Sequence, residues 1–137
     1  MHVLVIDDDP TFGKLLSMFL TDQGYEVSVA EDGIQGQRVA RQQLPDVIII
    51  DYLLPAGSGQ VVAERIHNLI DTQHIPMILI TGKAVNEVPA DIFNAGVSEV
   101  LSKMTLTKDD LLTAIEKAVA SNTAADHQVE ALLFPTE

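Results

Sequence analysis

The chain contains no cysteine and no tryptophan, and aromatics make up only 4% of its 137 residues. Without cysteine there can be no disulfide scaffold, no thiolate metal site and no thiol nucleophile. Basic residues are scarce too: eight Lys and Arg face twenty Asp and Glu, leaving a formal net charge of −12. So negative a chain repels phosphate backbones and anionic lipid, so binding of nucleic acid or membrane by this chain alone is not expected. Long hydrophobic runs are also missing. Val47–Ile50 and Met77–Ile80 are among the longest, far short of the ~20 residues a membrane span needs. The first residues reach Asp7 without a basic stretch or cleavage site, so no signal peptide is expected and the anticipated location is cytoplasmic. The 47% apolar content suffices for one core, and the length suits one domain.

Five short apolar runs read as strands: His2–Ile6, Val27–Ala30, Val47–Ile50, Met77–Ile80 and Val97–Leu101. They are rich in Val and Ile, bounded by turn residues, and apolar on both faces where clearest. Helical stripes lie between them. Phe12, Leu15, Leu16, Phe19 and Leu20 form one, Val62, Ile66, Leu69 and Ile70 a second, and Leu111, Leu112, Ile115 and Val119 a third. Ile34–Gln43 and Val88–Ala95 are weaker helices ending near a Gly or Pro. Strands and helices in alternation predict an α/β fold with a doubly wound parallel five-stranded sheet and five helices. The domain is expected over residues 1–121. Residues 122–137, with Val129, Leu132, Leu133 and Phe134, read as a C-terminal tail, a further helix or the start of a linker.

Polar residues collect at the carboxyl ends of these strands. Strand one runs into Asp7, Asp8 and Asp9, strand three ends in Asp51, strand four in Thr81-Gly82, and strand five is soon followed by Lys103. Open parallel sheets bind ligands at that edge, where the strand order reverses. In the flavodoxin-like order 2-1-3-4-5, strands one and three are neighbours, so Asp7, Asp8 and Asp51 share a pocket that Thr81 and Lys103 flank. Packed carboxylates repel one another, and a hard divalent cation relieves that; oxygen-only ligands suit Mg²⁺. A lysine and a hydroxyl beside such a metal match what a transferring phosphoryl group needs. Asp51 can itself carry phosphate as an aspartyl phosphate.

These pieces resemble the receiver domain of bacterial two-component response regulators, over about residues 1–121. The resemblance rests on Val3-Leu4-Val5-Ile6-Asp7-Asp8-Asp9-Pro10, on Pro45 through Pro55 around Asp51 with Gly59 after it, on Pro76 through Gly82, and on Ala95-Gly96 leading to Lys103. It implies that Asp51 accepts a phosphoryl group from a histidine kinase or histidine phosphotransfer protein. It also implies Mg²⁺ held by Asp8, Asp51 and the backbone carbonyl of Leu53, with Asp7 assisting through water. Thr81 is then expected to bind a phosphate oxygen and Lys103 to pair with the phosphoryl charge. Output would pass through a protein target or an output domain. Two positions depart from the family pattern: Met104 stands where a cis proline usually follows the lysine, and Val100 where the switch aromatic falls.

Other readings compete. Asp9-Pro10 suits a helix N-cap and N1 proline better than a metal ligand. Gly57-Ser58-Gly59 reads as a turn into the third helix, since it lacks the spacing and lysine of a P-loop. His2, His67, His74 and His127 show no metal-ligand spacing. The rival enzyme reading is a haloacid-dehalogenase-type phosphatase, because Asp7-Asp8-Asp9-Pro10-Thr11 fits Asp-x-Asp-x-Thr with Asp7 as nucleophile, Thr81 as second motif and Lys103 as the lysine. It leaves Asp51 without a role, and its last acidic motif could only be Asp109-Asp110, at the start of an amphipathic helix. A third reading is a receiver that serves only as a binding module.

Overall fold

In the computed structural model, residues 1–55 and 58–133 are described, the last eleven of these as backbone only. The order of elements is β1 (His2–Ile6), α1 (Pro10–Asp22), β2 (Glu26–Ala30), α2 (Gly33–Gln43), β3 (Val47–Asp51), α3 (Gly59–His67), β4 (Met77–Thr81), two 3₁₀ turns (Val85–Glu87 and Ala90–Ala95), β5 (Val97–Ser102) and α4 (Lys108–Leu133). The strands form one parallel sheet in the order β2-β1-β3-β4-β5, as expected.

The central strands β1, β3 and β4 are buried on both faces, with alternate residues serving opposite cores, while the edge strands β2 and β5 are partly exposed. Leu4, Ile6, Ile48, Ile50, Met77 and Leu79 point toward α2, α3 and the second 3₁₀ turn, meeting Ala40, Val62, Ile66 and Ile92. Val3, Val5, Val47, Ile49, Ile78 and Ile80 point the other way, onto Leu16 and Leu20 of α1 and Leu111 and Ile115 of α4.

Three local expectations are altered. Val88–Ala95 is a 3₁₀ turn from Ala90, not an α-helix. Pro89 holds Val88 extended (ψ 129°), and the left-handed Gly96 (φ 87°) ends the segment too soon for α-helical bonding to propagate. The α3 stripe stops at His67, with Asn68 as C-cap, leaving Ile70 84% exposed. On α1, Leu15 is exposed rather than buried with the rest of its stripe. At the other end of the chain, α4 crosses Ser121 without a break and runs to Leu133; residue 134 onward lies outside the described residues. Among the described residues, no helix is long and apolar enough to cross a membrane.

Candidate functional site

Three turns carry the site. β1 delivers Asp7, whose N–H still bonds Ala30 O on β2 (3.0 Å) and whose Oδ1 accepts the Asp9 N–H (2.8 Å). Asp9 then caps α1, accepting the N–H groups of Thr11 and Phe12, with Pro10 at the first helical position. Its carboxylate is thus taken up by the helix end, a device worth about 1 kcal/mol. β3 delivers Asp51 at its last position, and the Asp51 carboxylate accepts the Leu53 N–H (3.2 Å). α3 begins immediately against this strand end. Gly59 donates its N–H to Tyr52 O (2.7 Å), and a Cβ on Gly59 would overlap the Asp51 carbonyl, so only glycine fits this approach. Ser58, named in the sequence as part of a turn, is the N-cap of α3.

β4 and β5 complete the pocket. Thr81 is fully buried, and its hydroxyl oxygen accepts the Lys83 N–H (3.0 Å). The Lys103 N–H bonds Thr81 O (2.8 Å), tying the lysine's backbone to the end of β4. No peptide among the described residues is cis, and Met104 is 78% exposed. The backbone bond to β4 thus holds Lys103 where the family pattern has a proline after it. Val100 packs, half-buried, against the α2–α3 side of the core.

The charges converge. Lys103 Nζ lies 3.0 Å from Asp7 Oδ2 and 3.5 Å from Asp51 Oδ2, and 4.2 Å from the centroid of the Phe12 ring. Asp7, Asp8 and Asp51 each offer a carboxylate oxygen, all within 4.8 Å of one another. Asp7 and Asp51 are buried while Asp8 faces solvent, so the cluster is shielded on the sheet side and open outward. Burial and the neighbouring Asp7 charge raise the Asp51 pKa from 3.8 to about 6, against the opposing pull of the Leu53 N–H and Lys103. For Lys103, burial would lower the pKa, but the two carboxylates outweigh it and the group stays firmly cationic. A buried Asp51 carboxylate beside Asp7 is relieved by a nearby cation, and the hard-oxygen donor set fits Mg²⁺.

Every residue singled out at the strand ends, Asp7, Asp8, Asp51, Thr81 and Lys103, is therefore brought to one edge of the sheet. Phe12 escaped the sequence reading. Its place in an apolar stripe marked it as core, and only its spacing after the Asp9 cap hinted that it would face the pocket.

This edge of a 2-1-3-4-5 parallel sheet, with three carboxylates facing a threonine and a lysine, defines a phosphoryl-signalling class of protein. The family model of the response regulator receiver domain matches residues 3–116, and the chain belongs to that family of two-component signalling domains. Among curated relatives it is 37% identical over 102 residues to the DNA-binding dual master transcriptional regulator RpaA of Synechocystis sp., covering 74% of this chain and 42% of that protein. It is 32% identical over 123 residues to the transcriptional regulatory protein KdpE of Mycobacterium tuberculosis, covering 90% of this chain and 53% of that one. The chain thus spans about half, or less, of the length of these relatives. Among solved structures, a response regulator receiver domain from Clostridium thermocellum superimposes with a TM-score of 0.82 at 28% identity, covering 90% of this chain and 98% of that one. The family is a signalling domain rather than a conventional enzyme, and the phosphatase reading with Asp7 as nucleophile finds no support. Here Asp7 is bound by Lys103 and the Asp9 N–H, and Asp51 stands beside it.

Proposed function

We propose that this chain accepts a phosphoryl group on Asp51 from the phosphohistidine of a histidine kinase or phosphotransfer protein and signals through protein contacts. The observation that carries the proposal is the Asp51 carboxylate, set between the Lys103 ammonium and the carboxylates of Asp7 and Asp8. In the transfer, an Asp51 oxygen forms the new bond to phosphorus. The bond to the donor nitrogen (or to the acyl oxygen of acetyl phosphate) breaks, and the leaving group keeps the electron pair. The transition state is loose, so the side chains mainly hold oxygens and balance charge.

Asp8, Asp51 and the Leu53 carbonyl would hold Mg²⁺, with Asp7 assisting through water. When bound, the ion supplies positive charge that the three carboxylates lack and that the phosphoryl oxygens require. Lys103 pairs with the phosphoryl charge, and the Thr81 hydroxyl takes one phosphoryl oxygen. The Lys83 N–H leans on that same Thr81 oxygen, so turning the hydroxyl toward a phosphoryl group loosens the loop that follows β4. Val100 is too short to replace an aromatic in the vacated space, which leaves loop displacement as the output. The acidic balance of −12 directs that output to a protein target or an output domain beyond this chain, acting in the cytoplasm, rather than to DNA bound by this chain itself.

Incubation with Mg²⁺ and acetyl phosphate, followed by intact-mass analysis, tests this. One phosphoryl addition, lost in Asp51→Asn and without Mg²⁺, is expected. Full labelling of Asp51→Asn would defeat the assignment, and no labelling of the native chain would favour the binding-module reading.

A further inference from the structure

The positive charge of this chain is unevenly spread. Its only three arginines are Arg38, Arg41 and Arg65, the first two on α2 and the third on α3. All three border adjoining cavities on the α2–α3 side of the molecule. A cavity of about 580 Å³ is bordered by Arg38 and Arg41, and one of about 340 Å³ by Arg65. The two adjoin, with Ile34 and Gln37 bordering both. Ile34 is 74% exposed.

The guanidiniums are unpaired. Both ion pairs among the described residues belong to Lys103, and none of the three arginines has a hydrogen-bond or ring partner there. Asp32 and Asp71 also border the cavities, but Asp32 is occupied in capping α2, where it accepts the Gln35 N–H (2.7 Å). Three fixed cations against two carboxylates leave this surface slightly positive on a molecule of charge −12. Arginine forks match carboxylates bidentately, and an exposed Ile between them offers an apolar seat.

We infer that the α2–α3 groove docks an acidic amphipathic helix of a partner protein, whose carboxylates pair with Arg38, Arg41 and Arg65 while its apolar face covers Ile34. Charge complementarity selects this occupant. A twofold dimer through the same face would offer each copy's three arginines only two carboxylates, one of them already capping α2. Nucleic acid would have to approach against the net charge of the whole chain. The depression between α2 and α3, with the apolar Ile34, Val61 and Leu69 beside the arginines, suits helix-in-groove recognition. None of Asp7, Asp8, Asp51, Thr81 and Lys103 borders either cavity, so the docking residues are distinct from the phosphoryl site.

The probe is a synthetic helical peptide with leucines at i, i+3 and i+7 flanked by glutamates, titrated into the full chain and followed by amide NMR shifts. Saturable shifts in residues 33–42 and 61–71 are expected. Binding should weaken roughly tenfold or more in the Arg38→Gln, Arg41→Gln, Arg65→Gln triple variant and in Ile34→Asp, and fall steeply with salt. Thermal melts confirm that the variants fold. The inference is overturned if the lysine-for-glutamate peptide binds equally well, if shifts fall elsewhere or do not saturate, or if the triple variant binds unchanged. It is equally overturned if duplex DNA occupies the groove more tightly than the peptide, or if sedimentation shows the native chain dimerising through this face and the triple variant monomeric.

Discussion

The Lys103 ammonium lies 4.2 Å from the centroid of the Phe12 ring, while its charge is shared with Asp7 at 3.0 Å. Phe12 reaches that position because Asp9 caps α1 and turns the first helical residues over the pocket. An ammonium over a ring is worth about 0.5–2 kcal/mol. Phe12→Leu keeps an apolar side chain and removes the ring. It should slow labelling of Asp51 by acetyl phosphate about 2- to 20-fold, and abolish the ring-current shift of the Lys103 side-chain protons. Phe12→Tyr should retain both. Native rates in Phe12→Leu would show that the carboxylates and the backbone bond to Thr81 position the lysine without the ring.

Asp51 gives the fold a pH dependence of definite sign. Folding raises its pKa from 3.8 to about 6, so the folded state holds the proton more tightly than the unfolded chain. Its contribution to stability is full below about pH 3.8 and is lost as the pH rises through about 6. Without metal near neutral pH, Asp51→Asn should therefore be more stable than the native chain, by roughly 1–3 kcal/mol. The difference should vanish in urea titrations near pH 4. Asn melting below native at neutral pH would contradict the burial penalty.

Mg²⁺ should raise the melting temperature at neutral pH by relieving repulsion among Asp7, Asp8 and Asp51. Its apparent affinity should weaken as the pH falls through about 6, because Asp51 then takes a proton in place of the ion. Asp8→Ala should remove most of the Mg²⁺ response and slightly stabilise the metal-free protein. Calorimetric melts with and without millimolar Mg²⁺ measure both effects.

Gly59→Ala should cost about 1–3 kcal/mol and also slow labelling at Asp51, since the added Cβ overlaps the Asp51 carbonyl. Denaturant unfolding and intact-mass labelling on the same sample read the two consequences. Gly24→Ala is a useful control. Gly24 is left-handed with open space around it, so only backbone strain is added there and the site is untouched.

Beryllofluoride with Mg²⁺ should change hydrogen exchange mainly in residues 81–104, where Lys83 leans on the Thr81 hydroxyl. Change confined to α1 would refute a response routed through Thr81.

The residues themselves determined the parallel sheet. Strands such as Val47–Ile50 and Met77–Ile80 are apolar at every position, and only a sheet covered on both faces buries all of them. That alone sent Asp7, Asp51 and Thr81 to one edge, because each directly follows or ends such a run. Hydrophobic periodicity alone could not decide how far a helix runs once local breakers and caps compete with it. Pro89 and Gly96 reduced a helical pattern to a 3₁₀ turn, and Ile70 fell off the α3 stripe because the helix is capped at Asn68. The tertiary structure likewise decided three matters of distance. The Lys103 N–H bonds to Thr81 O without help from a proline at position 104. The Phe12 ring comes beneath the Lys103 ammonium. Three arginines separated by up to 27 positions come to border two adjoining cavities. Each arises between elements remote in the chain, and local pattern carries no information about the packing angle that joins them.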